Sequence, residues 1–249
     1  METLCPLKTS KQVMRGNKMS LTKERLDAIN DDIDRLVECY RDYSANNLAR
    51  AFGINLDAKN MMSVLIKKLI TQGAPNVASH MDSEDITIKT IRLDKYGKLK
   101  ESMSFPVFRY CDIVEETWET SSLRAKFKGK LYAFAVFRIV GKDYHLNKIV
   151  LWQMPDEILE NGVKPVWQKI KACLENGNIV KYIDDNGRYF SYFPASSESP
   201  YVHVRPHAQN RDDALPLPVA DRLTGLMRYP KHSFWLNRSY VLKIISREE

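Results

Sequence analysis

The sequence predicts a mixed α/β fold. Three observations predict it: helical apolar spacing in the first third, a switch to β-branched and aromatic runs after Gly73, and a later helical stretch followed by an alternating tail. In the first third, Leu26, Ile29, Ile33, Leu36, Val37 and Tyr40 fall on one stripe of a helix from Leu21 to about Tyr43, with Asp and Arg dense on its other face. Ser44 is placed to cap a short helix through Leu48, Ala49 and Phe52 that Gly53 stops. Asp57 is placed to cap a third, through Met62, Leu65, Ile66 and Leu69, that Gly73 stops. The expected organisation is a flexible polar arm over 1–19, a helical subdomain over 20–75 appended to the rest, and a main domain over 76–249. The Ala and Gly spacing of Ala49-Arg50-Ala51-Phe52-Gly53-Ile54 also suggests a helix-turn-helix, but Lys59 stands where a recognition helix wants an apolar residue. Simple packing of two helices is the plainer reading.

Beyond Gly73, strands are expected around Ile86, Ile88 and Ile91, over Leu131–Phe137, and over Lys148–Trp152. The second and third are apolar on both faces, which predicts central strands covered by helices. Helices are expected from Asp112 to about Ser121 and from Val163 to Leu174, the latter closed by Asn176-Gly177. The tail alternates at Tyr189–Phe193 and at Val202–Arg205, and Ser239 to Ile245 reads as a last helix.

Bulk properties narrow the function classes. A chain of 249 residues, 44% hydrophobic, can bury a substantial core. Its 38 Lys and Arg against 31 Asp and Glu give a net charge of +7, which favours a polyanionic partner, although a merely basic soluble protein shows the same balance. Cys5, Cys39, Cys111 and Cys173 form no Cys-x-x-Cys pair, so neither a zinc ribbon nor a redox motif is written here, and free thiols in a reducing compartment are expected. No apolar run approaches the roughly 20 residues of a membrane span. With no secretory h-region in Met1–Ser20 either, a cytoplasmic location is expected.

The residues that point to chemistry begin at Ile86-Thr87-Ile88-Lys89. This stretch resembles the metal-binding strand of MutH-type endonucleases, written apolar, Glu, apolar, Lys. Alternate side chains share a strand face, so such a Glu and Lys project together, one onto a divalent cation and the other onto the attacking water and scissile phosphate. Here Thr87 occupies the Glu position, and a neutral hydroxyl is a poor ligand for Mg²⁺. Lys100 to Phe105, Glu115 to Glu119, His203 to His207 with Asn210-Arg211-Asp212, and Ser233 to Asn237 follow in order. Together they resemble the C-terminal half of the GATC-recognising Sau-three-A-I family of type II restriction endonucleases, from about Tyr43 to the end of the chain.

The resemblance implies a MutH-like, PD-(D/E)xK restriction-endonuclease fold, a mixed sheet flanked by helices. It also implies a half that keeps this fold without its catalytic acids and serves as a DNA-binding, allosteric partner of an active half. The upstream Asp of the active pattern falls on His80, so both metal carboxylates are replaced and Lys89 remains as a vestige. No cofactor is then expected. Asp82, Glu84 and Asp85 lie close by, and a shifted site of Asp82, Asp85 and Lys89 would bind Mg²⁺ in an active endonuclease; a solvated turn and an ion-paired lysine are the plainer readings of the same residues.

The stretch from His203 to Arg211 carries His203, Arg205, His207, Gln209, Asn210 and Arg211, and Pro206 is expected to hold it as a loop. Arg can fork onto guanine and Asn or Gln onto adenine, so these side chains suit a GATC-like duplex site; they suit phosphates equally. The spacing of His203 and His207 would suit a metal pair only on a helix, which Pro206 opposes. Among Lys100, Arg109, Lys126, Lys128 and Lys130, the resemblance favours Lys100 as a contact, with Ser233 and Asn237 as phosphate donors. Lys126 to Lys130 is expected in a loop before the buried strand. The segment from Leu217 to Ser233 is shorter than the family pattern, which leaves the recognised sequence open. The expected partners are double-stranded DNA and a catalytic half or a second copy. The rival readings are an active Mg²⁺-dependent endonuclease and a protein-interaction subunit docking through residues 21–72.

Overall fold

The computed structural model describes residues 23–82, 86–99 and 101–246. Along the chain run α1 (Lys23–Tyr40), α2 (Ala45–Ala51), α3 (Met61–Gly73), α4 (Pro75–Asp82), β1 (Ile86–Leu93), β2 (Met103–Val107), α5 (Tyr110–Glu115), α6 (Ser122–Phe127), β3 (Leu131–Val140) and β4 (Asp143–Gln153). There follow α7 (Asp156–Ile158), a π-helical turn (Leu159–Val163), α8 (Lys164–Glu175), β5 (Val180–Ile183), β6 (Tyr189–Ser191), β7 (Val202–Pro206), β8 (Ala214–Pro216), β9 (Arg228–Pro230), β10 (His232–Leu236) and α9 (Arg238–Ile245). Contacts group these elements into two compact units. One carries α1 to α4 with β1, β3 and β4; the other carries β2, α5 and α6, and the elements from α7 to β10.

In the first unit a three-stranded sheet runs β1-β3-β4, with β1 parallel to β3 and β3 antiparallel to β4. Strand alternation divides its residues cleanly. Ile86 on β1 and Ala133, Ala135 and Phe137 on β3 join Ile29, Ile33, Leu36, Leu65, Leu69 and Val77 of the helices in one buried cluster, with Ile88 packed against it. Two alanines on β3 leave room for helices to approach the sheet. The helices therefore share the sheet's core, which corrects the separate appendage expected over 20–75. A register shift after Val136 sets Phe137 opposite Leu146, and both join the same cluster.

Local polar bonds fix the helix starts. Ser44 accepts from the Asn47 amide at 3.2 Å and caps α2 as expected. Asp57 does not cap α3: its amide donates to the Asn55 side chain at 3.0 Å in a turn, and the helix begins three residues later, after Asn60. Asp32 is fully buried, pairs with Arg35, and accepts the Asn76 amide at 2.7 Å in the first turn of α4. The covered-strand expectation holds for β3, whose residues 132–137 are buried, but β4 forms the edge of the sheet and is mostly half-buried.

The second unit is organised by an antiparallel sheet in the order β2-β10-β7. Behind it lies an aromatic core: Phe108 packs on Phe234 at 4.7 Å and on Tyr110 at 5.6 Å, and His232 stacks on Tyr229 at 5.2 Å and meets Phe193 at 5.1 Å. His232 Nδ1 lies 2.9 Å from the Tyr110 hydroxyl and 2.7 Å from the Pro230 carbonyl oxygen. Burial holds its pKa down at about 4, so it is neutral at pH 7.

Several expectations are corrected in this unit. The helix expected over 112–121 ends at Glu115, and a separate helix begins after Ser121, which caps it by accepting the Arg124 amide at 3.1 Å. Lys126 consequently lies on α6 rather than in a loop. Ser233 to Leu236, read as the approach to the last helix, belongs to the central strand β10. Cys111 is disulfide-bonded rather than a free thiol, since sequence separation says nothing of distance in space; Cys39 and Cys173 are free. Among the described residues, no helix is long and apolar enough to cross a membrane.

Candidate nucleic-acid interface

Two strands carry the residues of interest, one in each unit. On β1, Thr87 and Lys89 share the face opposite the helices, and their in-register neighbours on β3 are Tyr132 and Phe134. Both of those aromatics are buried, Phe134 stacks on Trp152 at 5.6 Å, and burial pushes the Tyr132 pKa above its ordinary value. Thr87 and Lys89 themselves are half-buried. At the position where a nuclease would hold its cation, the strand therefore offers one neutral hydroxyl beside an aromatic wall. This donor set does not fit Mg²⁺, which takes carboxylate oxygens. His80 stands half-buried in α4. Asp82 ends the same helix, but its side chain lies outside the described residues, as do Glu84, Asp85 and Lys100. Among the described residues, no group of three His, Cys, Asp or Glu is arranged to hold a metal.

The β7–β10 pair presents a different surface. Its register sets Ser233 opposite Arg205 and Trp235 opposite His203, so His203, Arg205, His207, Ser233 and Trp235 share one face while Val202, Val204, Phe234 and Leu236 line the other. Arg205 is exposed, and its guanidinium lies 4.9 Å from the Trp235 ring centroid. His207 is exposed on the same ring at 5.7 Å, and its Nδ1 is 2.7 Å from Ser233 Oγ. Trp235 thus holds two cation-capable side chains at fixed positions. Its own Nε1 is buried without a hydrogen-bond partner, so the ring works through its faces.

The stretch expected as one loop from His203 to Arg211 is strand up to Pro206 and turn beyond it. His203 is only 2% exposed and hydrogen-bonds through Nδ1 to Asn237 Oδ1, and Asn237 is 4% exposed, with its amide nitrogen donating to Ser196 O at 3.2 Å and to Ser199 O. Burial lowers the His203 pKa, and the nearby Arg205 charge adds to this against the Asn237 hydrogen bond. His203 and Asn237 join strand to helix start and are not surface donors, which corrects their assignment to DNA contact. Ser233 is fully buried and acts through His207.

In the turn, Asn210 Oδ1 accepts the amides of Asp212 and Asp213 at 3.0 Å each, so its acceptor is spent on folding the loop. Gln209 is exposed, and its amide donates to Asp213 Oδ2 at 3.1 Å; Asp213 is itself paired with Lys231. Arg211 is exposed and lies 4.3 Å over the Tyr189 ring, which stacks on Tyr229 at 6.3 Å, which stacks on His232. Arg205 and Arg211 therefore each stand on an aromatic base.

The family profile described as DNA mismatch repair enzyme MutH matches residues 74–161, a window that contains β1 with Thr87 and Lys89. The type II restriction enzyme Sau3AI of Staphylococcus aureus is 24% identical over 87% of this chain. Both matches are to MutH-type DNA endonucleases, and they support a resemblance of this chain to that group. It spans about half the length of this curated relative, 51% of it. The matches agree with the observed mixed sheets flanked by helices in a MutH-like endonuclease fold. The β7–β10 face lies outside the window of the MutH profile, so its interest rests on its own geometry and on the longer match.

Sequence reasoning singled out Arg205, His207 and Arg211 but missed what holds them. Of the two neighbouring aromatics, Phe234 is core and Trp235 is platform. Once the Ser233–Leu236 stretch is seen as a strand, simple alternation separates the two. Nothing in the sequence pairs Arg211 with Tyr189.

Proposed function

We propose that this chain is a sequence-specific duplex-DNA-binding module of the MutH endonuclease fold that does not hydrolyse DNA and acts as a regulatory partner of a catalytic half. The carrying observation is the β7–β10 face: Arg205 on Trp235 and His207 tied to Ser233, both exposed and both held in place before any ligand arrives. Prepositioned guanidinium groups spend little conformational entropy on binding. Arg205 and Arg211 supply bidentate contacts to guanine or phosphate, Gln209 supplies an amide suited to adenine, and His207 supplies a further hydrogen bond. These are the side chains a GATC-like site calls for. His203 and Asn237 set the strand that carries them.

The absence of cleavage in this reading follows from Thr87. One hydroxyl cannot replace a carboxylate in gathering Mg²⁺ and its water, and Lys89 alone would orient a phosphate without generating a nucleophile. A chain that grips its site and leaves it intact is suited to reporting occupancy to a catalytic partner, by favouring one of that partner's states. Such a role places the chain with the DNA it reads, in the cytoplasm.

The test is binding of the purified chain to a GATC duplex and a scrambled duplex across salt, with Ca²⁺ or Mg²⁺, scoring complex and product together. Preferential binding to GATC with intact DNA in Mg²⁺ is expected. The second reading, an active endonuclease, draws on the acids Asp82, Glu84 and Asp85 just before β1. Cleavage in Mg²⁺ that Lys89→Ala abolishes would establish it.

A further inference from the structure

The β5–β6 hairpin carries apolar surface that the reading above leaves unused. Tyr182 and Phe190 are directly paired across the hairpin, and their rings stack at 4.4 Å with an interplanar angle of 8°. A pair packed this closely would ordinarily be interior. Here Tyr182 is 46% exposed and Phe190 37%, and Tyr192, next on the same side of β6, is 43% exposed. The opposite side of β6 is occupied: Tyr189 stacks on Tyr229 and receives Arg211. The hairpin is thus fastened by one side and offers a flat aromatic shelf on the other.

The turn that joins the strands is rigid. Asp184 Oδ1 accepts the amides of Asn186 at 3.1 Å and of Arg188 at 2.7 Å, and Gly187 takes the positive φ of 73° that closes the turn. This directs the Asp184 carboxylate into the turn, leaving Asp185 as the other acid. Lys181 is adjacent to Tyr182 in the chain and Arg188 lies two residues before Phe190, both exposed, so cations stand near the shelf. A shelf of parallel rings with cations around it matches a planar base whose phosphates lie to either side.

We propose that the hairpin is a stacking platform for an unpaired nucleotide, so that the chain engages a single-stranded or extruded base through Tyr182, Phe190 and Tyr192. This rests on the DNA-binding reading but concerns different residues and a different form of the ligand. A base continues the existing ring stack without requiring any particular hydrogen-bonding edge, so the contact is tolerant of sequence. Lys181 and Arg188 meet the phosphates.

The experiment uses the full chain with three probes: a blunt GATC duplex, the same duplex bearing a single-stranded extension with 2-aminopurine, and an unstructured oligonucleotide with the same fluorophore. These are measured for the wild type and for Tyr182→Ser/Phe190→Ser, with thermal melting of both proteins as a check on folding. Quenching of 2-aminopurine by the wild type is expected. A loss of roughly tenfold in affinity for the extended and single-stranded probes is expected in the variant, from stacking of about 1–3 kcal/mol per base, with blunt-duplex affinity unchanged. Blunt-duplex binding with no quenching, and equal affinities of variant and wild type for the extended probe, overturns the platform and leaves the duplex reading standing. Platform-dependent binding of the single strand without duplex binding does the reverse. Binding of none of the three probes removes both. Self-association of the wild type, abolished in the variant and indifferent to single-stranded DNA, would assign the shelf to a second copy and overturn the nucleotide proposal.

Discussion

The face of β1 that bears Thr87 and Lys89 and the face of β7 and β10 that bears Arg205 and His207 are built alike and carry different side chains. Each belongs to a three-stranded sheet whose other face helps to form an apolar or aromatic core. On β1 the framework persists: Tyr132 and Phe134 are buried beside Thr87 and Lys89, and the strand keeps its parallel register with β3. This face carries a hydroxyl at Thr87 and an amine at Lys89. At β7 and β10, Arg205 and His207 are exposed and supported, with Trp235 under both and the buried Ser233 tied to His207. Packing and chemistry are separable properties of one fold. A sheet face stays ordered because its neighbours fill space, whereas it retains a reaction only while particular side chains remain.

The largest effect expected tests the packing half of this comparison. Phe134 is fully buried, stacks on Trp152, and sits beside Lys89. Phe134→Ala should lower stability by about 3–5 kcal/mol, read as a shift in the urea midpoint. A change under about 1 kcal/mol would mean that this face is loosely packed and that the parallel with a well-built sheet fails.

The next effect is a pH dependence specific to the second unit. His232 has its pKa lowered from 6.5 to about 4 by burial, so the folded state holds it neutral while the unfolded state binds a proton as pH falls below 6.5. Its contribution is complete above about 6.5, declines as pH falls, and is lost by about 4. At roughly 1.4 kcal/mol per pH unit, the full shift from 6.5 to about 4 amounts to about 3.5 kcal/mol. His232→Phe keeps a ring between Tyr229 and Phe193, and the Tyr110 hydroxyl keeps its bond to Pro230 O. Urea titrations at pH 7 and pH 4.5 should show a smaller acid loss in the variant. Equal losses would show that His232 is not the group responsible.

The chemical half of the comparison is tested on Arg205. Arg205→Ala should weaken duplex binding by about 1–3 kcal/mol if the side chain reads a base, and should do so unequally between GATC and scrambled sites. A pure phosphate contact would weaken both alike and lower the salt slope by about one. Unchanged affinity and slope would take the β7–β10 face out of the account.

Much of this was legible in the sequence because helical and strand periodicities record burial directly. Ile29, Ile33 and Leu36 announced α1, and the apolar run of 131–137 announced β3. The Ser44 cap was readable because its partner is three residues away. Illegible features depend on residues distant in the chain. Nothing local says that His203 is spent on Asn237, that Asn210 folds its own turn, or that the helices of 23–82 lie on the sheet's core. Polar residues in a dense cluster look alike as letters, and only register and burial distinguish the supported surface group from the internal brace. The flat stack of Tyr182 on Phe190 was hidden for the same reason, since it requires a hairpin register to be known.

The smallest effect expected bears on whether the helical region has any part in recognition. Ala45, Leu48 and Ala49 of α2 are buried, Asn46 donates to Asp143 Oδ1 of β4 at 2.6 Å, and Lys68 of α3 is used on the Phe52 carbonyl oxygen at 2.9 Å. These bonds brace helices to each other and to the sheet edge, as packing requires and as a recognition helix does not. Ser44→Ala removes the cap of α2 and should lower stability by about 1 kcal/mol. Because α2 then frays without disturbing Arg205 or His207, DNA affinity should stay the same. A drop in affinity comparable to that of Arg205→Ala, in a variant still folded at the assay temperature, would make the α2–α3 pair a reading element and move recognition into the unit that holds Thr87.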